Sequence, residues 1–232
     1  MIDTNKIFDQ LLGTGGDLAG KAGVPPQTVE QMKTVARENP LLVGGIAGLL
    51  LGGLARNVRG LGGAAIVGGL AWKAYRDWQA RKVGSAGPAA PVGDGPIVLP
   101  PADSAFAPDS AGRAGGVFAE TLIVAMIAAA KADGAIDADE RRRIEERLAK
   151  SGLSPQEIAF VRGEIDGPVD IERIVRAAVT KEAATEIYTI SLMAAPPDAP
   201  SERGYLAMLA ARLQLEPELV ASIEKTVGGA TT

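Results

Sequence analysis

The sequence predicts an all-α protein: a glycine-rich apolar membrane segment, then a disordered linker, then a compact bundle of about seven helices. Three observations predict it. From Gly116 onward apolar residues recur at helical spacing, and no stretch alternates with the period of two that a half-buried strand requires. Helix start signals punctuate the same region, with Ser154-Pro155-Gln156-Glu157 the strongest. In the first third, two runs, Leu41–Ala55 and Gly60–Trp72, carry no charged residue.

The 232 residues divide into four parts on this reading: short amphipathic N-terminal helices over 1–38, a glycine-rich apolar membrane-associated segment over 39–83, a flexible linker over 84–115, and a helical domain over 116–229. The last part is long enough to bury a core of its own. The chain has no Cys and no His. Disulfides, ordinary zinc sites and His-dependent catalytic sets are therefore excluded, and any metal must be a hard cation held by oxygen. The net charge of −4 argues against nucleic acid as a partner, because phosphate binding needs a basic surface. No basic start followed by an apolar run opens the chain, so no cleavable signal peptide is expected.

Thr4–Leu12 suits a short amphipathic helix with Ile7, Phe8, Leu11 and Leu12 on its apolar face, and Pro25-Pro26 opens a second one over Gln27–Glu38. Each uncharged run that follows makes a helix of only about 20–22 Å. A single crossing needs about 30 Å of apolar helix. Two geometries are open: a hairpin that turns at Arg56 and Arg59, or one tilted span that ends at those arginines. Gly44, Gly48 and Gly52 recur every fourth residue, which is poor for a helix in water but gives a close-packing face for a second helix in lipid. Trp72, Tyr75 and Trp78 stand among Lys73, Arg76, Arg81 and Lys82, the mixture a membrane interface favours on the cytoplasmic side. The other reading is a glycine-rich segment that packs on another protein or stays poorly ordered. The linker is too poor in large apolar residues to order itself, apart from the island Ile97-Val98-Leu99.

In the helical domain, Val117–Ala132 is apolar nearly all round and suits a buried central helix. Asp137 and Glu140 have capping-box spacing for the next helix, to Ser151. Ser154 starts a helix to Ile165, and Asp170 another. Thr180 caps one to Met193 whose inner face is Ala184, Ile187, Tyr188 and Leu192. Ser201 is expected to cap a helix to Leu213, and Glu216-Pro217 to begin the last, to Val227.

The candidate chemistry lies in acidic helix starts. Asp133-Gly134-Ala135-Ile136-Asp137-Ala138-Asp139-Glu140 matches the second half of a calcium-binding helix–loop–helix, but Ala129 and Lys131 stand where the opening carboxylates belong. Asp198 and Glu202 echo the pattern. If the two starts converge, Asp133, Asp137, Glu140, Asp198 and Glu202 line one site for calcium, magnesium or manganese. The competing reading is that these carboxylates only cap helices. Lys131 is expected to point to solvent.

The run Ala130–Glu140, with the later Ala199-Pro200-Ser201-Glu202-Arg203-Gly204-Tyr205-Leu206, resembles the TerB-like tellurite-resistance domain. The glycine-rich segment followed by Trp72-Lys73-Ala74-Tyr75-Arg76-Asp77-Trp78-Gln79 resembles its YebE-like inner-membrane branch. The resemblance implies an all-helical bundle, a bacterial inner-membrane setting with the bundle in the cytoplasm, and an acidic metal-binding site. The expectation is a non-enzymatic module that binds a divalent cation, in an envelope or metal stress response. The rival is an ion-independent membrane scaffold that recruits a protein partner through the bundle, and lipid or another copy through the Gly44/Gly48/Gly52 face. An enzyme is the least supported reading, since no Lys, Arg or hydroxyl is placed beside the carboxylates.

Overall fold

The computed structural model describes residues 2–4, 6–7, 63–82, 100–101, 103–107, 117–132, 134, 138–150 and 153–231. Among them the secondary structure is helical throughout: α1 (Gly63–Lys82), α2 (Val117–Ala130), α3 (Ala138–Lys150), α4 (Pro155–Asp166), α5 (Ile171–Ala177), α6 (Lys181–Ala194), α7 (Pro200–Arg212) and α8 (Pro217–Thr231). The seven helices expected after Gly116 are all present, and α1 is an eighth member of the same bundle.

Two helices form its centre. α2 is buried continuously from Thr121 to Ala130, as its uniformly apolar sequence predicts. α6 lies along it and is buried from Ala184 to Ala194, not along one face only. Its hydroxyls are tolerated there because each bonds the carbonyl one turn back: Thr185 Oγ1 to Lys181 O (2.7 Å), Thr189 Oγ1 to Thr185 O (2.7 Å) and Ser191 Oγ to Ile187 O (2.8 Å).

The caps explain most boundaries. The Ser154 side chain accepts from Glu157 N while Glu157 Oε2 accepts from Ser154 N at 2.8 Å, a complete capping box. Asp170 and Thr180 cap α5 and α6 through Arg173 N and Ala183 N. α7 departs from expectation. It begins at Pro200, so Ser201 lies inside the helix, and Glu202 supplies the cap instead. α7 ends with Gln214 at φ 53°; Gln214 N reaches Ala211 O and Leu215 N reaches Ala210 O, the paired bonds of a Schellman ending with Gln where Gly is usual.

Gly63–Lys82, assigned from sequence to the membrane segment, is instead part of the core. Ile66, Val67, Leu70, Ala71, Ala74 and Trp78 are buried, with Leu70 only 2 % exposed, where α1 packs on α6 and α8. Ser222 Oγ on α8 donates to Ala74 O at 2.9 Å. The hairpin geometry uses this stretch as its second half and does not survive in that form; the single span ending at Arg56 and Arg59 lies outside the described residues. No helix among the described residues is long and apolar enough to cross a membrane. Leu41–Ala55 and the glycine face lie outside the described residues.

The aromatic and basic flank is used by protein. Trp78 is bracketed by Lys82 Nζ (4.7 Å) and Lys181 Nζ (5.0 Å), and both ammonium groups reach Glu216. Tyr75 lies 5.4 Å from Phe106, which is 2 % exposed. Residues 103–107, expected to be flexible linker, therefore form a short turn docked on α1; Ile97–Leu99 lie outside the described residues. The helices on either side of the expected linker, α1 and α2, both pack on α6. At the N-terminus, Ile7 is buried and Asp3 N donates to Glu157 Oε1 at 2.9 Å. Residues 8–12 of the expected helix lie outside the described residues.

Candidate functional site

The acidic helix starts divide unevenly. Asp133 and Asp137 lie outside the described residues; Glu140 is in α3, and its side chain is also outside them. Asp198 is exposed in the loop before α7. Glu202 is 6 % exposed, and its Oε2 accepts from Asp198 N (3.1 Å) and Ala199 N (2.8 Å). Arg203 closes the same loop from the other side, donating to Pro197 O (3.1 Å) and Asp198 O (2.8 Å). These bonds satisfy the donors and carbonyls that a helix start and a tight loop leave open. Glu202 thus performs the capping role weighed against ion binding. No group of three or more acidic side chains is arranged to hold a metal ion among the described residues.

Lys131 does not point to solvent. Its Nζ donates to Glu164 O (3.3 Å), Ile165 O (2.8 Å) and Gly167 O (2.5 Å), the carbonyls at the end of α4. A cation there complements the negative end of the helix dipole. Burial lowers the Lys131 pKa, and Asp166 and Glu164 act against that. Gly134 makes the turn after Lys131 with φ 128°, a conformation L side chains rarely adopt, which accounts for glycine in the Asp-Gly pair.

The concave feature of the bundle is elsewhere. Lys181 pairs with Glu216 at 2.8 Å, and about two turns further along Tyr188 OH donates to Glu224 Oε1 at 3.3 Å, so α6 and α8 run parallel. α7 returns between their ends. The three leave a groove of about 620 Å³, with Tyr188, Leu192 and Met193 from α6, Leu206, Ala207 and Ala210 from α7, and Val220, Glu224 and Val227 from α8. Pro196, Pro197 and Arg203 also line it. Burial raises the Tyr188 pKa far above its ordinary value, helped by the Glu224 charge, so the phenol stays a donor. The groove lining is largely apolar, with Glu224 and Arg203 its charged residues and the Tyr188 hydroxyl bonded to Glu224. Sequence reasoning found Tyr188 and Leu192 as inward residues but not the groove, because its walls come from three helices whose relative placement has no local signature.

These features define the class: a helical bundle with an open, largely apolar groove and with Glu157 and Glu202 engaged in helix caps. The chain belongs to the DUF533 family, described as a protein of unknown function, whose model matches residues 37–227; the family is TerB-like. The matched span includes the glycine-rich stretch, α1 and the bundle. The chain is also 32 % identical over 108 residues to a Yersinia enterocolitica protein named "Uncharacterized protein in ampR 5'region", covering 47 % of this chain and 78 % of that one. No solved structure matches.

Proposed function

We propose that this chain is a non-enzymatic docking module, in which the groove between α6, α7 and α8 receives an apolar helical segment of protein. The groove itself is the observation that carries the reading: it is concave, apolar and open, with one acidic wall residue to orient an occupant. The first expectation, a divalent-cation site, has less support, because Glu202 already accepts two backbone N–H groups. The inner-membrane setting implied by the YebE-like resemblance falls on Leu41–Ala55. As a helix of about 22 Å that stretch is shorter than a crossing. In this proposal it associates with the inner membrane at its surface, on the cytoplasmic side.

A photo-reactive group at Ala207, an exposed position on the groove wall, tests the reading in cells that make the full chain. A discrete polypeptide adduct is expected from Ala207 and not from Val179, which is 84 % exposed and is not a groove-lining residue. Equal labelling from both positions, or none from Ala207, removes the groove from consideration.

A further inference from the structure

We infer that the chain's first residues are a detachable strap, seated in a peptide-binding site at the start of α4 that is separate from the groove. The two carboxylate oxygens of Glu157 have different tasks. Oε2 accepts from Ser154 N at 2.8 Å and completes the cap of α4. Oε1 accepts from Asp3 N at 2.9 Å, from 154 residues away. Asp3 starts a helical turn of its own: its Oδ1 accepts from Lys6 N at 3.1 Å, and its carbonyl accepts from Ile7 N at 3.2 Å. Such a start leaves the N–H of its capping residue to be satisfied from elsewhere, and a capping box supplies a glutamate of the same helix. Here one carboxylate, 4 % exposed, serves two helix starts that are far apart in sequence. None of these residues lines the groove.

The seat has a second half. Ile7, four residues after Asp3, is fully buried and belongs to the main apolar cluster; Thr4 is buried, and Ile2 packs against the same cluster. The Lys6 charge adds attraction to Glu157. The chemistry recognised is thus a capped helical turn with a backbone N–H at its start and a branched apolar side chain four residues on. The strap is lightly tied. Among the described residues its one hydrogen bond to the bundle is Asp3 N to Glu157, and the others are internal. One buried isoleucine and one charged hydrogen bond are gains of the same order as the entropy lost in fixing a few residues. The strap therefore opens without unfolding the bundle. Opening uncovers an acceptor and an apolar seat that fit a second segment of the same chemistry, and the chain's own first residues hold that site closed.

The test uses the full-length chain and a peptide of residues 1–12 with fluorescein at its C-terminal end. Ile7→Asp disables the chain's own strap and leaves the seat open. That variant is expected to bind the peptide at least about tenfold more tightly than the wild-type chain, whose strap competes. Adding Glu157→Gln is expected to remove the gain. Adding Ser154→Ala, which weakens the α4 cap but keeps the Glu157 acceptor, is expected to retain it. Equal binding to the wild-type and Ile7→Asp chains, binding to neither, or a gain that survives Glu157→Gln overturns the inference. So does equal binding by a peptide that itself carries Ile7→Asp. Amide exchange of the wild-type chain reads detachment without any variant. The amides of Lys6 and Ile7 are expected to exchange at least about a hundredfold faster than those of α2 and α6. Exchange as slow as that of the core makes the strap part of it and overturns the inference, whether or not Ile7→Asp folds. A wild-type dimer that Ile7→Asp converts to monomer gives the seat to a second copy's strap and overturns the assignment within one chain.

Discussion

Two strongly apolar helical stretches of this chain invite opposite readings and meet in one core. Val117–Ala130 has a lone lysine, Lys131, and no aromatic residue directly after it, and an acidic turn follows; it reads as a buried helix and is one. Gly63–Trp72 is followed by tryptophan, tyrosine, lysine and arginine; it reads as the end of a membrane segment and instead packs on α6 and α8. Hydropathy measures how strongly a segment avoids water, and a protein interior satisfies it as well as lipid does. The flank is equally ambiguous. A tryptophan near two lysines suits a headgroup layer, and it also suits a cation–π clasp in which Glu216 neutralises both ammonium groups.

That equivalence predicts the largest effects. Leu70→Ala in α1 and Ile127→Ala in α2 are each expected to cost about 2–5 kcal/mol in urea unfolding of the full chain, as buried large-to-small changes do. A bundle whose unfolding ignores Leu70→Ala would return α1 to the membrane side of the comparison. Next comes the contact that fixes the end of α2 against α4. Lys131→Met leaves three carbonyls without their donor and is expected to cost about 1–3 kcal/mol. A neutral result would mean that water replaces the ammonium without penalty.

The acidic helix starts sharpen the comparison at smaller scale. Glu202→Gln is expected to lower stability by about 0.5–2 kcal/mol, the range for a lost N-terminal cap. The loss should be equal with and without millimolar calcium, magnesium or manganese at matched ionic strength. A stabilisation by one of these ions that Glu202→Gln abolishes would restore the cation site. Acid titration checks a second cap. Backbone N–H donors from Ser154 and Asp3 hold the Glu157 carboxyl below its ordinary value, and Arg162 does the same for Glu145. Groups depressed in the fold stabilise it above their unfolded pKa of about 4.5, and that contribution disappears as pH falls through the lower folded values. Glu157→Gln should therefore flatten the decline of melting temperature below that pH. The smallest change expected is a gain: Gln214→Gly relieves a left-handed residue at the end of α7 and should add up to about 1 kcal/mol.

How much was legible follows from where the signal is stored. Ser154, Asp170 and Thr180 announce their helices because a cap is a contract between residues three apart, and each holds. Ser201 fails as a cap by the same logic: Pro200 starts the helix one residue earlier, and the glutamate that follows reaches back to do the work. Lys131 looks solvated in the sequence because its acceptors lie more than thirty residues away, at the end of another helix. Phe106 stands alone in a segment poor in large apolar residues, with no periodicity to display, yet it docks on Tyr75.

The sequence by itself determined that the chain is helical, where most of its C-terminal helices begin, and that zinc, disulfide and histidine chemistry are absent, since those follow from local spacing and composition. Only the tertiary structure decided that α1 belongs to the bundle, that Lys131 and Glu202 cap helices, and that three helices leave a groove. Each of those depends on contacts between residues distant in the chain, and an apolar side chain carries no label saying which apolar surroundings will take it.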